Sequence, residues 1–388
     1  MKKNKWLRIL NQSLAYVIVA ALASGVTMFL NRRERGKLTE LQDIIDAQFI
    51  DEVPTAEMED AAAEAMVKAL GDRWSYYIPA QEYQEHLDRK HNEYVGIGVT
   101  YIREEGGCRV QLVEPEGGAK AAGILPQDLL IAVDGQDISK PEHEKMVRKL
   151  VGGKEGTTVN LTLIRDGEEM TLPVERKIIP VQVAKGEMIF DNIGLITIGN
   201  FNEKSSEQTI QAVDTLIEQG AESLIFDVRF NGGGYVNEMV KILDHLLPEG
   251  GVFRSVDSKG RESVDRSDAD CIRMPMAVLM NDHSFSAAEL FAAALREYDW
   301  ATLVGEHTTG KGHFQYTIKL SDGSAVNQST GRYTTPKGVD LEETKGLEPD
   351  ITVPLEEEVK AKIYGKILEP EQDPQIQAAA EALNQPQK

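Results

Sequence analysis

The sequence is poor in cysteine and, beyond its first segment, in net positive charge. Its only cysteines, Cys108 and Cys271, are too far apart to suggest a disulfide framework, and we interpret both as small buried hydrophobic residues. Lysine and arginine total 42 against 63 aspartates and glutamates, a net charge of −21. From residue 38 onwards the net charge is −28. A body this acidic repels phosphate backbones, so we predict no nucleic-acid partner.

Long uncharged stretches are scarce as well, and the exception lies near the N-terminus. Residues 13–30 are 18 residues without a charge, and basic residues on both sides give residues 1–37 a net charge of +7. Such a run is just long enough to cross a bilayer as a helix, although Ala21-Leu22-Ala23 offers a signal-peptide cleavage site. We therefore predict either a single-pass anchor in the cell membrane, with the body on the extracytoplasmic side, or export after signal cleavage.

The glycine-rich stretch GEHTTGKGHF (residues 305–314) first suggests a phosphate-binding loop. Gly305, Gly310 and Lys311 fit that pattern, but Gly312 stands where a serine or threonine would bind Mg²⁺. A phosphate-binding loop also leads into a helix, whereas the next residues, HFQYTIKL, alternate polar and apolar side chains as a half-buried strand does. We therefore predict a strand after residue 312 and a different role for Lys311.

Periodicity divides the rest of the chain into four parts. Residues 38–90 have the three- and four-residue spacing of helices, and residues 91–179 have short strand patterns, glycine turns and one helix. Residues 180–355 alternate strands with amphipathic helices, which predicts a layered α/β domain. Residues 356–388 are helical in pattern and charged.

Three stretches of the α/β part fall where this type of fold places loops at strand ends. The glycines of DVRFNGGG (residues 227–234) would let backbone amides approach a ligand closely. Ser284 and Ser286 lie at a strand-to-helix junction, where the helix N-terminus favours developing negative charge. Taken singly, these features have ordinary explanations: a glycine turn, Ser284 as an N-cap and Lys311 as a solvated lysine. Their joint order and spacing favour a reactive site.

These motifs together resemble those of the carboxyl-terminal processing (tail-specific) peptidases, which are PDZ-containing serine proteases with a Ser–Lys dyad. SFSAAEL is similar to the family's S-A-S-A-S-E, with Phe285 and Ala288 as departures, and TTGKGHFQ is similar to T-F-G-K-G-x-x-Q. LGDRWSYYIPAQEY (residues 70–83) is similar to the family's LDPYSxYL segment. The resemblance covers nearly all of the chain beyond residue 37. It implies an α/β fold with a crotonase/Clp-protease-like ββα core, an inserted PDZ domain and flanking helical segments.

The resemblance also implies a role for each matching residue. Ser286, the second serine of its motif, would be the nucleophile. Lys311 would be the base, and Gln315 would orient the lysine amine by a hydrogen bond. We predict that the backbone amides of Gly232 and Ala287 form the oxyanion hole, one from the glycine loop and the other from the residue after the nucleophile.

A serine and a lysine can perform this chemistry only if the lysine is neutral. A serine hydroxyl is a weak nucleophile that needs an adjacent base, and an ordinary lysine, with a pKa of ~10.4, is almost fully protonated at neutral pH. Burial lowers the pKa of a lysine, and the apolar residues of SFSAAELFAAAL would provide that environment. Glu289 matches the glutamate of the motif and is predicted to face the site in a supporting role. We predict no cofactor and no metal.

Two alternatives compete with this interpretation. His283, His307 and His313 lie near the motifs, so a Ser–His arrangement is conceivable, but His283 would have to double back within one turn to reach Ser286. The second alternative belongs to another functional class, a non-catalytic PDZ scaffold on a degenerate protease core. The presence of every residue of the predicted dyad argues against it.

Residues 91–179 resemble a PDZ domain of the bacterial arrangement, although a β module that only braces its neighbour is an alternative. PDZ domains bind an extended peptide as an added strand and hold its terminal carboxylate in loop amides. Gly152 stands where relatives often carry an arginine, so we expect tail recognition but weak gating of activity. The predicted carboxylate loop consists of Tyr94, Val95, Gly96, Ile97 and Gly98.

The predicted function is therefore that of an exported serine endopeptidase that cleaves protein or peptide substrates near accessible C-terminal tails. The PDZ domain would select or present the tail, and the membrane would be a second partner through residues 1–37. The family's flanking helices commonly dimerise, so the charged C-terminal segments, EEEVKAKIYGKI and DPQIQAAAEAL, would suit either a homodimer or a solvated tail.

Overall fold

The computed structural model describes residues 36–140 and 144–384. The predicted anchor or signal, residues 1–37, lies outside the described residues except for its last two. Within the described ranges, no helix combines the length and the apolar character that are needed to cross a bilayer. The relation of the chain to a membrane therefore stays a prediction.

The segment from residue 38 to residue 90 is helical as predicted, with one exception. Its helices are α1 (Lys37–Gln48), α2 (Thr55–Lys68) and α3 (Ala80–Lys90). Between α2 and α3, the strand β1 (Tyr76–Ile78) pairs antiparallel with β18 (Ala325–Thr334). The helical prediction is wrong for β1, because Tyr-Tyr-Ile has strand propensity. Local periodicity could not indicate the pairing, because β18 lies about 250 residues further along the chain.

Residues 91–179, which resemble a PDZ domain and are called the PDZ segment below, are built on an antiparallel sheet. Its strand order is β3-β4-β5-β7-β8, with β6 paired to β5. Two helices, α4 (Gly118–Ala121) and α5 (Glu144–Val151), accompany it. Apolar side chains alternate along the strands, so Cys108 is buried as predicted. Cys271, outside this segment, is partly exposed, and the burial prediction is wrong there. The strands are β3 (Val99–Glu104), β4 (Gly107–Val113), β5 (Leu129–Val133), β6 (Gln136–Asp137), β7 (Thr158–Arg165) and β8 (Glu168–Glu175).

A two-stranded ribbon marks both ends of the PDZ segment. The stretch YVGIGVTY, predicted as one strand, is divided between β2 (Glu93–Gly96) and β3, because Gly98 adopts a left-handed conformation with φ +76. A Cβ atom at Gly98 would lie 2.8 Å from the Cα of Gly117. β2 pairs antiparallel with β9 (Lys177–Pro180), so the chain enters and leaves the PDZ segment at adjacent positions.

The α/β part is built on a six-stranded sheet of order β10-β11-β12-β15-β16-β19, and every neighbouring pair from β11 onwards is parallel. This confirms the predicted alternation of strands with helices, here α6 (Ser205–Glu218), α7 (Val236–Leu246) and α8 (Ala287–Glu297). All residues of the central strands β12 and β15 are buried, as expected for a sheet covered on both faces. The strands are β10 (Ala184–Ile189), β11 (Ile193–Ile198), β12 (Ser223–Asp227), β15 (Met276–Met280), β16 (Ala301–Gly305) and β19 (Ile351–Thr352).

A second, antiparallel sheet has the order β1-β18-β13-β14, and β17 also pairs with β18. The strand predicted after residue 312 is confirmed as β17 (His313–Lys319). The hairpin of β13 (Gly250–Asp257) and β14 (Glu262–Ser267) was not predicted, because much of it is polar and exposed. Pairing of β1 with β18 brings the segment around Trp74 beside the strands that follow Lys311.

The C-terminal segment is divided between an exposed helix and a packed one. The helix α9 (Glu357–Tyr364) buries no residue, and a short 3₁₀ turn (Pro370–Gln372) follows it. In α10 (Pro374–Leu383), alanine and isoleucine side chains are buried against the central sheet of the same chain. Asp373 caps α10 and forms a buried ion pair, 2.8 Å long, with Arg229 beside β12. The interpretation of this stretch as a solvated tail is therefore wrong for α10, and the homodimer stays a prediction.

Candidate active site

The three predicted loops converge because they follow three adjacent strands. β12, β15 and β16 are parallel neighbours, so their carboxyl ends lie at the same edge of the sheet. The glycine loop follows β12, the segment with Ser284 and Ser286 follows β15, and the loop with Lys311 follows β16. The topology therefore brings together loops that are far apart in the chain, and this edge is the usual ligand site of an open α/β sheet.

Ser286 occupies the N-cap of α8 in a conformation that few non-glycine residues adopt. Its φ is 62° and its ψ is −123°, and backbone strain of this kind concentrates at functional sites. The glycine loop packs directly against it. A Cβ atom at Gly233 would lie 2.8 Å from the Ser286 Cβ and 2.9 Å from the Ala287 nitrogen, so only glycine fits there.

Ser284 has a structural role instead. It is fully buried, and its hydroxyl donates to the carbonyl of Val228 at 2.8 Å and accepts from the amide of Asn281 at 3.0 Å. The alternative that Ser284 is the N-cap of the following helix is wrong, because Ser286 holds that position. Ser284 instead ties the loop after β15 to the loop after β12.

Glu289 joins the nucleophile loop to the lysine loop. This buried carboxylate accepts hydrogen bonds from the amide of Ser286 at 2.9 Å, the hydroxyl of Thr308 at 2.5 Å, and the amides of Gly310 at 2.7 Å and Lys311 at 3.1 Å. Burial raises the pKa of Glu289, and the four hydrogen bonds oppose that rise. Glu289 therefore holds the backbone of both the nucleophile loop and the lysine loop, which is the kind of supporting role predicted from the motif.

Lys311 is almost completely buried, with 8% of its surface exposed. Its Nζ donates to Oε1 of Gln315 at 2.6 Å and lies 4.6 Å from the ring centroid of Trp74 and 6.0 Å from that of Phe285. Burial lowers the pKa of Lys311 to about 8, with a smaller contribution from the positive charge of Lys90. The apolar environment predicted from the sequence is present, but Trp74 supplies part of it and was not identified from the motifs.

Gln315 is held in turn by His313 of its own strand and by Ser329 of β18. Its Nε2 donates to the Ser329 hydroxyl at 2.9 Å and to the His313 carbonyl at 3.0 Å, which leaves Oε1 facing Lys311. The Ser329 amide donates to the Ser75 hydroxyl at 3.0 Å, and that hydroxyl donates to Asp72 at 2.5 Å. The segment similar to LDPYSxYL thereby reaches the predicted base through hydrogen bonds, a connection that spacing alone does not reveal.

The two predicted oxyanion donors have unused amides. Within residues 36–140 and 144–384, neither the amide of Gly232 nor that of Ala287 has a hydrogen-bond acceptor. The neighbouring Gly233 amide, in contrast, donates to the Asn231 side chain at 2.8 Å. Because Ala287 begins α8, its free amide also lies at the positive end of the helix dipole.

The three histidines near the motifs face carboxylates. His283 lies 2.9 Å from Asp282, and its side chain is largely exposed. Nε2 of His307 lies 3.7 Å from Oε1 of Glu348, and Nδ1 of His313 lies 3.1 Å from Oε2 of Glu342. Among the described residues, none of these imidazoles forms a hydrogen bond with Ser286, and each instead lies beside a carboxylate.

The predicted carboxylate loop of the PDZ segment comprises β2 and the turn after it. Tyr94 is partly exposed on β2, and the Ile97 carbonyl accepts a hydrogen bond from the Ala119 amide at 2.9 Å. At the position of the missing arginine, Gly152 ends α5. The Arg176 guanidinium, which no motif indicated, donates to the carbonyls of Leu150 at 2.8 Å and Val151 at 3.2 Å at that helix end.

Comparison with known proteins agrees with this architecture. Residues 192–353 match peptidase family S41, and residues 95–175 match the PDZ domain. The chain is 29% identical over 363 residues to the carboxy-terminal processing protease CtpA of Bacillus subtilis, with 89% of this chain and 77% of that protein covered. It is 28% identical over 352 residues to the Probable CtpA-like serine protease of Staphylococcus epidermidis, with 89% of this chain and 71% of that protein covered.

A solved structure assigned to an S41 protease from Bacteroides fragilis has the same fold. Its TM-score to this chain is 0.51 at 14% identity, over 82% of this chain and 89% of that one. Fold and family matches together define a serine-type peptidase with an accompanying PDZ domain. Most of the chain is similar to carboxy-terminal processing proteases, and its residues 192–353 are similar to peptidase family S41. This confirms the resemblance seen in the sequence motifs and the predicted fold class.

Proposed function

We propose that this peptidase is exported and that it cleaves protein substrates near their C-terminal tails with Ser286 as nucleophile and Lys311 as base. The observation that carries this proposal is the environment of Lys311. The lysine is buried beside aromatic rings. Its loop is joined to the nucleophile loop by the hydrogen bonds that Glu289 accepts from both. With a pKa of about 8, roughly a tenth of Lys311 would be neutral at pH 7, against fewer than about one in a thousand ordinary lysines.

The proposed reaction begins when neutral Lys311 removes the proton from the Ser286 hydroxyl as that oxygen attacks the scissile carbonyl. Gln315 accepts one N–H of the amine, which leaves the nitrogen lone pair available for the proton. The negative charge that develops on the carbonyl oxygen would be stabilised by the free amides of Gly232 and Ala287. Lys311 then gives the proton to the leaving amine, and water hydrolyses the acyl-enzyme in the reverse sense.

Recognition of tails by the PDZ domain is supported by its sheet topology. β3 pairs with β4 and with no other described strand, so one edge of β3 is open for an additional strand. An extended tail could add to that edge and direct its carboxylate towards the loop from Tyr94 to Gly98. Hydrophobic residues of α5, including Met146 and Leu150, share a core with Val99 and Tyr101 of β3, which is the arrangement that a groove between them requires.

Export is proposed from the sequence of residues 1–37 alone. Eighteen uncharged residues between basic flanks fit either a retained anchor or a removed signal. The extent of the mature chain decides between them, and intact-mass measurement of the protein isolated from cells would show whether the N-terminus begins at Met1 or near Ala23.

The direct test of activity uses the full chain in detergent and a peptide that represents a C-terminal tail. We expect cleavage by the wild-type chain and none by Ser286→Ala, with an acyl-enzyme adduct on Ser286 detectable by mass spectrometry. If the wild type binds the peptide but never cleaves it at any pH, the competing hypothesis of a non-catalytic PDZ scaffold would be correct.

A further inference from the structure

A cleft of about 650 Å³ opens directly beside the glycine loop. Gly232 to Gly234 form one wall, together with Phe285, the residue that precedes the predicted nucleophile. The opposite wall comes from β1 and from one face of α3, including Glu82, His86 and Lys90. A substrate whose scissile carbonyl reaches the amide of Gly232 must place its neighbouring residues in or next to this cleft.

Lys90 gives one end of the cleft an uncompensated positive charge. It is the last residue of α3 and is mostly buried, and its Nζ lies 5.6 Å from the ring centroid of Tyr235, next to the glycine loop. In the part of the chain that the structure describes, no carboxylate forms an ion pair with it. The neighbouring cations are different, since Arg89 pairs with Glu85 at 2.8 Å and Lys204 pairs with Glu93 at 2.7 Å.

The acidic residue of the cleft is too distant to compensate this charge. Glu82 lies eight residues before Lys90 on the same helix, which corresponds to about 12 Å along the axis. The two residues therefore mark opposite ends of the cleft. Burial and the charge of Arg89 both lower the pKa of Lys90, and no carboxylate raises it. In a chain with a net charge of −21, an unpaired cation in such a position is unusual.

The geometry points to a carboxylate-binding subsite at the Lys90 end of the cleft. On the basis of the proposed peptidase function, the ligand is a carboxylate of the substrate, either an acidic side chain near the scissile bond or the terminal carboxylate of the tail. Lys90 supplies the charge, and the Tyr235 ring lies 5.6 Å from its Nζ, next to the glycine loop that lines the same cleft. This subsite is separate from the PDZ loop around Tyr94 to Gly98, and it would select substrates at the cleavage step itself.

Closeness to the catalytic group supports the assignment. The charge of Lys90 is the largest cause after burial of the lowered pKa of Lys311, so the two ammonium groups are near each other. A substrate carboxylate at Lys90 would neutralise the repelling charge while the peptide is bound. The ratio of kcat/KM between matched substrates therefore contains this effect on Lys311 as well as the binding of the carboxylate, and the binding measurement on inactive chains separates the two.

The test compares matched peptides on the full chain in detergent. One glutamate is moved through the positions around the cleaved bond, each peptide is also made with glutamine there, and each is made with a free and an amidated C-terminus. The variants are Lys90→Met, which removes the charge, Lys90→Arg, which keeps it, and Lys185→Met as the control. Lys185 is an exposed lysine on β10 that pairs with Glu187 at 3.2 Å and does not line the cleft.

We expect the wild type to prefer one carboxylate peptide over its neutral counterpart by roughly ten- to a hundredfold in kcat/KM. Lys90→Met should remove that preference, whereas Lys90→Arg should retain much of it and Lys185→Met all of it. If glutamine abolishes the preference, the ligand is the side chain. If amidation abolishes it, the ligand is the terminal carboxylate. If wild type and Lys90→Met show the same ratio of kcat/KM between the carboxylate peptide and its neutral counterpart, the proposed subsite is wrong.

A binding measurement keeps this result independent of catalysis. The same labelled peptides are titrated onto two inactive chains, one with Ser286→Ala alone and one with Ser286→Ala and Lys90→Met together, and dissociation constants are obtained from fluorescence anisotropy. Any contribution of the PDZ domain is common to both chains and cancels. If no peptide is cleaved by the wild type but the Lys90-dependent preference persists in binding, the proposed activity fails and the subsite stands. If the preference is absent from binding as well, the subsite is refuted.

Discussion

In the candidate active site the side chains of Glu289 and Gln315 are held by several hydrogen bonds, whereas the PDZ segment leaves a strand edge open. Glu289 accepts four hydrogen bonds, and Gln315 is fixed on both sides of its amide. β3, in contrast, pairs on one side only among the described strands. The difference fits the two functions that we propose: a reactive pair depends on preorganised geometry, and recognition by strand addition depends on unpaired backbone groups.

The comparison predicts that single changes in the catalytic centre have far larger effects than changes in the PDZ segment. The largest is expected for Ser286→Ala, which removes the attacking oxygen and should abolish measurable turnover while the melting temperature stays close to wild type. The matched control is Ser284→Ala. It removes a buried hydroxyl with two partners, so it should cost about 1–3 kcal/mol of stability but leave most of the activity. Comparable loss of activity in both variants at unchanged stability would mean that the nucleophile is assigned to the wrong serine.

Lys311→Arg should be as inactive as Lys311→Ala. A guanidinium is effectively never deprotonated, so arginine can keep the positive charge but cannot act as a base. Peptide cleavage by the two variants is compared with thermal unfolding to show that both chains are folded. Appreciable activity of Lys311→Arg would mean that the lysine contributes only its positive charge and is not the base. The Ser–His alternative would then have to be tested.

Removal of the PDZ segment should affect long substrates much more than short ones. Gly96 and Lys177 are register partners on β2 and β9, so a short glycine linker can replace residues 97–176 and leave the ribbon intact. We expect cleavage of a tailed protein to fall by roughly tenfold or more, while cleavage of a short peptide changes little. Loss or a large gain of both activities would indicate gating, and no change in either would exclude a role of the PDZ segment in cleavage.

The smallest effect is expected for Trp74→Ala, which opens Lys311 to water. Burial is the main cause of the lowered pKa of Lys311, so partial exposure, with Phe285 still beside the amine, should raise that pKa only part of the way towards the ordinary lysine value. Activity near pH 7 should then decrease by about tenfold or less and recover at higher pH. The pH profile of kcat/KM distinguishes this shift from simple misfolding, which would lower activity equally at all pH values.

The residues that carry the proposed chemistry could be identified from the sequence because they lie in short motifs at strand ends. The motif register assigns Ser286, Lys311 and Gln315, and the structure brings their loops together through three adjacent parallel strands. The central strands and α8 were equally accessible to sequence analysis, since buried parallel strands are continuous apolar runs and need no distant partner to be recognised.

The surroundings of that site could not be predicted in the same way. Trp74 and Ser75 reach the site because β1 pairs with β18, a contact between segments that are about 250 residues apart. The cleft beside the glycine loop likewise combines α3 with loops that lie far from it along the chain, and nothing in the local sequence marks Lys90 as unpaired. Arg229 and Asp373, which fasten α10 to the core, are a third pair of this kind.

The central claim is that Lys311 activates Ser286 with a pKa near 8, and the rate at which a fluorophosphonate labels Ser286 tests it most directly. The rate is followed by intact mass from pH 5 to about pH 10 in wild type and in Lys311→Ala. We predict that labelling of the wild type rises through an apparent pKa of about 8 and that labelling of Lys311→Ala is slow at every pH. A wild-type midpoint near the ordinary histidine value of about 6.5, or labelling that is equally fast without Lys311, would contradict the account.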